Sequence, residues 1–369
     1  MPCPSKNPHN IDFVYILYII HSMRKKHRSS AVNRQGMFSR VKAWIMAISC
    51  ILVLFSTCGL PPAQQAQKIL NDGINDESAV IRVNAAKGLH QAGDVRGIKI
   101  LYEVLRSEDK NGIVAALAAL YDLEETSYSP VIIELTQNKD PLVRAEAYRL
   151  VSIMDDESCR DILIKGTQDK IAKIRRFSYL GLEKFHEKTL IRRGLQDVDV
   201  LVKITAAQAL HNLGEPDLEN LVRRQLQIFN LEIWKQGLKA LAEMGDTSAI
   251  DFIKESLYDA PWELRLAAAE ALLIMNNNEG VPILKEALET GDPFIRVNVV
   301  QILKKYRLNQ GPALLKIAVK DEYINVSVVA IEALAKYRQK DTRAIFTDLM
   351  KAPNPLVKIA AAAAYLEIE

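Results

Sequence analysis

The sequence predicts an all-α fold, a right-handed α-solenoid of about nine to ten two-helix repeats with a period of 31 residues. Three observations predict it. One residue pattern recurs at a fixed step, its apolar positions fall at helical spacing, and glycine or proline marks the points where the chain must turn.

With Arg82 as origin, the equivalent positions are Ile113, Arg144, Arg175, Lys203, Trp234, Arg265, Arg296, Ser327 and Lys358. Every step is 31 residues except the 28 between Arg175 and Lys203. Columns not used to set this register obey it. One residue before the origin stand Ile81, Val143, Ile174, Val202, Ile233, Leu264, Ile295, Val326 and Val357, with Gly112 the exception. Three residues after it, nine of ten positions carry Ala, Ser or Gly, from Ala85 to Ala361, the exception being Val299. Seven after it come Leu89, Leu120, Val151, Leu182, Leu210, Leu241, Leu272, Leu303 and Leu334. Such spacing puts the three columns on one face of a helix, and a small residue amid larger ones lets a neighbouring helix approach. Asp140-Pro141, Asp292-Pro293 and Asn354-Pro355 mark helix starts, a cap followed by a proline that the first turn tolerates.

The second helix of each unit follows a tight turn. Gly93-Asp94, Gly214-Glu215 and Gly245-Asp246 place glycine where the first helix ends and an acid where the next begins. That acid recurs as Asp94, Glu125, Asp156, Glu187, Glu215 and Asp246, which reads as repeated helix capping. The second helix has its own apolar column, Leu101, Ile132, Leu163, Val222, Ile253, Leu284, Leu315 and Phe346. At the ends, Gln64–Asn71 reads as a lone second helix and Leu356–Leu366 as a lone first helix, half-units that close nine full ones. The run Ala360–Ala364 makes the last helix a poor shield for an exposed end, unless something packs there.

Segments such as Asp140-Pro141-Leu142-Val143-Arg144-Ala145-Glu146-Ala147 and Asp292-Pro293-Phe294-Ile295-Arg296-Val297-Asn298-Val299 resemble HEAT repeats, of the short kind named after phycobilisome lyases. The resemblance covers roughly residues 63–369. It implies a solenoid with an extended binding surface; the motif describes packing, so it implies no activity, and bilin attachment does not carry over from it.

Ahead of the repeats, residues 37–57 read as a signal peptide: Arg40 and Lys42, an apolar run from Ala43 to Phe55, then small residues before Cys58. The apolar run is shorter than the roughly 20 residues of a membrane-spanning helix. Leu54-Phe55-Ser56-Thr57-Cys58-Gly59 resembles a bacterial lipoprotein cleavage box, which implies lipidation at Cys58. It departs from the usual box at Phe55 and Thr57. Residues 1–36 are expected to be an upstream extension, with translation starting at Met37 or Met23; the alternative is a second membrane-proximal segment. Residues 58–67 read as the lipidated cysteine and its tether, and residues 68–369 as the solenoid.

Charge is uneven. The whole chain carries +3, residues 1–58 carry +7, and the body has 40 basic against 44 acidic residues. A mildly acidic body gives no electrostatic reason to bind nucleic acid. Of the four cysteines only Cys159 lies in the body, so no disulfide framework forms there.

The search for chemistry finds no phosphate loop, nucleophile elbow or zinc-protease motif. His90 and His211 share a repeat position four units apart and cannot share a metal. His186-Glu187 is a single pair, whereas the HEAT-like deoxyhypusine hydroxylases hold two irons through several. No catalytic residue, metal, cofactor or small-molecule substrate is expected. Trp262, after Pro261, and Trp234, in the arginine column, read as packing residues. On the second helices, Arg223, Lys254, Lys285 and Lys316 share one offset in four consecutive units, with Arg192, Arg193 and Arg224 nearby. Stacking makes them a basic file, the candidate docking strip for an acidic protein partner or an anionic envelope polymer. The expected function is an exported, membrane-anchored lipoprotein of the cell envelope acting as a scaffold for a protein partner. The alternatives are an envelope enzyme or lyase-type subunit using the concave face, and a self-assembling structural subunit.

Overall fold

The structure is a computed structural model, and it describes residues 60–369 apart from 126, 128, 229 and 259. The expected signal peptide and Cys58 lie outside the described residues. Among the described residues there are twenty α-helices and no strand. The chain runs α1 (Pro62–Gly73), α2 (Ala79–Gln91), α3 (Arg96–Val104), α4 (Lys110–Asp122), α5 (Pro130–Leu135), α6 (Pro141–Val151) and α7 (Ser158–Gly166). It continues through α8 (Ala172–Lys184), α9 (Lys188–Gly194), α10 (Val200–Asn212), α11 (Glu219–Gln225), α12 (Leu231–Glu243) and α13 (Ile250–Glu255). The last are α14 (Trp262–Ile274), α15 (Val281–Thr290), α16 (Pro293–Tyr306), α17 (Gly311–Ala318), α18 (Ile324–Ala335), α19 (Arg343–Leu349) and α20 (Pro355–Glu367). Even-numbered helices are the first helices of the units and odd-numbered ones the second.

The repeat columns are the core. In the small-residue column, Ala85, Ala116, Ala147, Ser178, Ala206, Ala268, Val299, Ala330 and Ala361 are all fully buried, and so is each leucine or valine four residues on. The second-helix column gains Leu70 and Ile191, both fully buried. The 28-residue unit escapes a fixed 31-residue step because the missing residues come from the start of its second helix. There Glu187 directly precedes α9. Removing three residues takes out nearly one helical turn, so Ile191 still faces inward.

The caps are as the sequence implies. Asp140, Asp292 and Asn354 each accept hydrogen bonds from two backbone N–H groups of the helix they start. In the turns, Asp94, Asp156 and Asp246 accept from the N–H two residues on, as does Glu125. Gly93, Gly214 and Gly245 take positive φ, but Glu124, His186, Asn276, Arg307 and Arg338 also do so. Arg307, exposed at φ 46° and ψ 49°, closes α16 in the left-handed conformation. That conformation is costly for a residue with a Cβ. Arg307→Gly is therefore expected to stabilise the fold by about 1 kcal/mol, read as a raised thermal midpoint.

The main departure from expectation is that the solenoid has no free ends. Each first helix packs on the next from α2 to α20, and α20 then packs on both α2 and α1. The first helices thus form a closed ring. Second helices touch one another little, which places them on the longer, outer circumference and the first helices on the inner wall. The two half-units are one unit: α20 supplies its first helix and α1 its second, from opposite ends of the chain. At this seam Leu70, Ala66, Leu89, Ile359 and Ala361–Ala363 form a continuous buried cluster. The approach is close, since a methyl group on Gly88 would stand 2.8 Å from the Cβ of Ala363. The alanine run that made α20 a poor cap is what admits α2 and α1. The expected boundary at residue 68 is corrected as well, because α1 begins at Pro62, inside the stretch 58–67 assigned to the tether.

Candidate functional site

Two ladders tie successive units together. In the first, the origin arginines reach across loops. Arg144 bonds Asp169 at 3.1 Å and the carbonyl of Asn138 at 2.8 Å. Arg175 pairs with Asp197 at 2.7 Å and Arg296 with Asp321 at 2.7 Å. Where the arginine is absent, another donor does part of its work. The Trp234 indole N–H donates to the carbonyl of Ile228 at 3.1 Å, and Ser327 donates to that of Val319 at 2.8 Å. Trp234 also packs on Phe252, and Trp262 lies under the Arg265 guanidinium.

The second ladder absorbs most of the basic file. Arg192 pairs with Glu215 and Arg223 with Asp246. Lys254 meets Glu279 at 2.7 Å and Lys316 meets Asp341 at 2.7 Å. Lys285 lies 3.9 Å from Glu289 of its own helix. Apart from Lys285, these members of the file face acids in the turns of the following units, and Arg160 repeats the arrangement with Glu187. Arg193 and Arg224 stand exposed without an ion pair among the described residues. Sequence reading found the file but not these partners, which lie 23 or 25 residues on for all but Lys285.

The histidines stay apart. His211 Nδ1 is 3.0 Å from Glu219, and Glu187 beside His186 is held by Arg160. No group of His, Cys, Asp and Glu able to hold a metal ion occurs among the described residues. Cys159 is fully buried, and burial pushes its thiol up to about 11, outside the range of a reactive thiolate.

The inner wall is different in character. Along the first helices the positions five and nine after the origin carry most of the inner wall's polar residues, Lys87, Arg149, Lys239, Glu270 and Glu332 among those at the former. Glu332 accepts from Lys304 at 2.8 Å and from Lys87 at 3.2 Å, and Lys87 also meets Asp122 at 2.9 Å. Glu270 gathers Lys305 at 3.1 Å, Lys239 at 3.7 Å and the Tyr306 hydroxyl at 2.9 Å. Glu146 takes Arg149 and Lys173. Arg176, on α8, departs from this pairing. Its Nε donates to Thr205 Oγ1 at 3.2 Å and Nη2 to Gln236 Oε1 at 2.9 Å, with no ion pair among the described residues. Burial lowers the guanidinium pKa, and the charges of Asp199 and Glu232 offset that only in part. It borders a concavity of about 170 Å³ lined by Leu201, Glu232, Lys235, Gln236, Lys239, Ala267 and Glu270, which spans α8 to α14.

The two edges of the ring also differ. First helices begin at the edge made by the loops between units and end at the edge made by the tight turns. Large exposed apolar side chains collect on the loop edge. Val198 is 93% exposed, Phe294 82% and Tyr258 61%, and Leu142, Ile228, Leu231, Tyr323 and Ile324 join them. On the turn edge Val95 is exposed, and Leu60 is 51% exposed just ahead of α1. Sequence reading missed this asymmetry, because these residues belong to no repeat column and only the ring brings them onto one rim.

Residues 98–183 and 188–273 match the family model described as HEAT repeats, which supports the reading made from the repeat motifs. Among solved structures, the chain is similar to human deoxyhypusine hydroxylase in complex with glycerol. Identity is 17%, covering 68% of this chain and 98% of that one, with a TM-score of 0.32. It is similar to the complex of CpcE and CpcF of phycocyanin lyase from Nostoc sp. PCC7120, at 16% identity, covering 84% and 96%, with a TM-score of 0.33. An engineered protein matches at 16% identity, covering 82% and 98%, with a TM-score of 0.31. No curated protein sequence matches.

Proposed function

We propose that the chain is a membrane-tethered, exported binding protein that docks a protein partner on the apolar loop edge of its ring. The observation that carries this reading is the collection of Val198, Tyr258, Phe294, Tyr323 and Ile324 on one rim. Isolated exposed apolar side chains are ordinary, but a set gathered on one rim marks an interaction surface. Aromatic anchors such as Tyr258 and Phe294 are the kind that dominate binding energy once covered. Lipidation at Cys58 fits the same arrangement. Only Gly59, Leu60 and Pro61 separate Cys58 from α1, a reach of about 14 Å at most.

The test is photo-crosslinking in native cells with the full chain carrying Phe294→p-benzoylphenylalanine, compared with the same substitution at Lys285 on the outer rim. A discrete protein adduct at 294 and none at 285 is the expected result. A second substitution, Tyr258→Glu, should reduce that adduct by about tenfold or more, the loss of one covered aromatic anchor. Adducts with lipid alone, or equal adducts from both positions, would overturn the reading. Globomycin treatment that leaves the chain's mass unchanged would remove the Cys58 assignment without touching the edge.

A further inference from the structure

We propose that the inner-wall concavity beside Arg176 is a binding site for a single carboxylate group, independent of the loop edge. Three features combine there. The guanidinium is partly buried, and its two hydrogen-bond partners, Thr205 and Gln236, are both neutral. A guanidinium has five N–H donors, so three are left to aim at a ligand. These suit the planar fork by which arginine holds a carboxylate with two parallel hydrogen bonds. Thr205 and Gln236 lie on the next two inner helices, so they hold the group in place before any ligand arrives.

The charges nearby select the ligand's valence. Around the concavity stand Arg176, Lys235 and Lys239 against Glu232 and Glu270, a net charge of +1. Glu232 already holds Lys235 at 2.8 Å, and Glu270 holds Lys239 and Lys305. Asp199 and Glu232 act on Arg176 from beyond ion-pair distance, so its charge is the one left without a direct counter-ion among these residues. A monoanion neutralises it, whereas a dianion such as phosphate meets the two flanking carboxylates. Leu201 and Ala267 supply an apolar wall for a short stem. The volume, about 170 Å³, holds about five or six water-sized groups. That admits an acidic side chain or the last residue of a polypeptide.

The experiment uses the full chain and calorimetric titration at pH 7. The probes are N-acetylalanine, with a chain-end carboxylate, N-acetylglutamate amide, with a side-chain carboxylate, and inorganic phosphate. N-acetylalanine amide is the neutral control. Saturable millimolar binding of at least one carboxylate probe is expected, and whichever probe binds more tightly identifies the source. Phosphate should bind at least tenfold more weakly. Arg176→Gln should weaken carboxylate binding by at least tenfold with the circular dichroism spectrum unchanged. Should that variant unfold, Leu201→Glu, which places a carboxylate on the wall facing the guanidinium, must give the same loss. Binding that survives either folded variant, that phosphate matches, or that the amide control reproduces would overturn the proposal. No binding of either carboxylate probe would overturn it too, while leaving crosslinking at position 294 unaffected.

Discussion

Leu70→Ala is expected to destabilise the protein by about 2–5 kcal/mol, the range for emptying a fully buried leucine site, and to open the ring selectively at its seam. Leu70 is fully buried on α1 and belongs to the same column as Leu163 on α7. The two sites are alike in chemistry and differ in connection. A tight turn ties α7 to α6, so a cavity at Leu163 leaves the two helices of that unit together. α1 and α20 are joined by no turn, and only packing holds them. Loss of contact at Leu70 therefore releases two helices that no turn holds together. Amide exchange after Leu70→Ala should speed up in α1 and α20 well before the rest of the ring. Leu163→Ala should cost a similar amount with no such preference. If both variants lost protection uniformly, the seam would be no weaker than any turn-linked unit.

That asymmetry follows from how repeat proteins are held. Each unit buries its apolar face against its neighbours, so stability is nearly a sum of local terms. In an open array the two end units have one neighbour each. Closing the array gives every unit two neighbours and removes the need for polar caps. The price is a joint assembled late, from residues nearly the whole chain apart, which costs loop-closure entropy.

Most of the fold was legible in the sequence because it is written once per unit. The columns from Ala85 to Ala361 and from Leu101 to Phe346 mark burial directly. The half-units at each end were legible too. Their mutual packing was not, since a linear pattern carries the number of units but not the small rotation between them that decides whether ends meet. The alanines at 360–364 were the one sign: they are too small to cap an end and suited to a close neighbour. Functional features were less legible for the same reason. The basic file from Arg223 to Lys316 shows plainly at one offset, while its acidic partners lie in the next unit's turn. Arg176 stands at an inward position that holds Lys235 in one unit and apolar residues such as Val83, Ile204 and Leu266 in others, so no column announces it. Its isolation emerges only when the neighbouring inner helices are in place.

Acid should open the same seam through Glu332. Its carboxylate, on α18, reaches over the small residues of α20 to Lys87 on α2, at 3.2 Å, and also holds Lys304 at 2.8 Å. Burial alone pushes this carboxyl up, but the charges of Lys87 and Lys304 outweigh it and hold the group down at about 2, against an ordinary value of 4.5. Because the folded value is the lower one, the stabilisation is fully present above pH 4.5 and is lost as pH falls toward 2. The shift corresponds to about 3 kcal/mol. Lys87 works in the opposite sense: burial lowers its pKa, but Glu332 and Asp122 raise it above 10.5, so its contribution holds through neutral pH and fades only in alkali. Glu332→Gln removes the acid titration while keeping an acceptor. At pH 7 it should cost about 3 kcal/mol or more, since it leaves Lys87 buried with Asp122 alone. As pH approaches 2 the parent carboxyl becomes neutral as well, and the two denaturation midpoints should converge. Parallel pH profiles for parent and variant would show that Glu332 does not clasp the ring. Amide exchange in α2 and α20 should rise over the same acid window in the parent and be already raised, and nearly flat with pH, in Glu332→Gln.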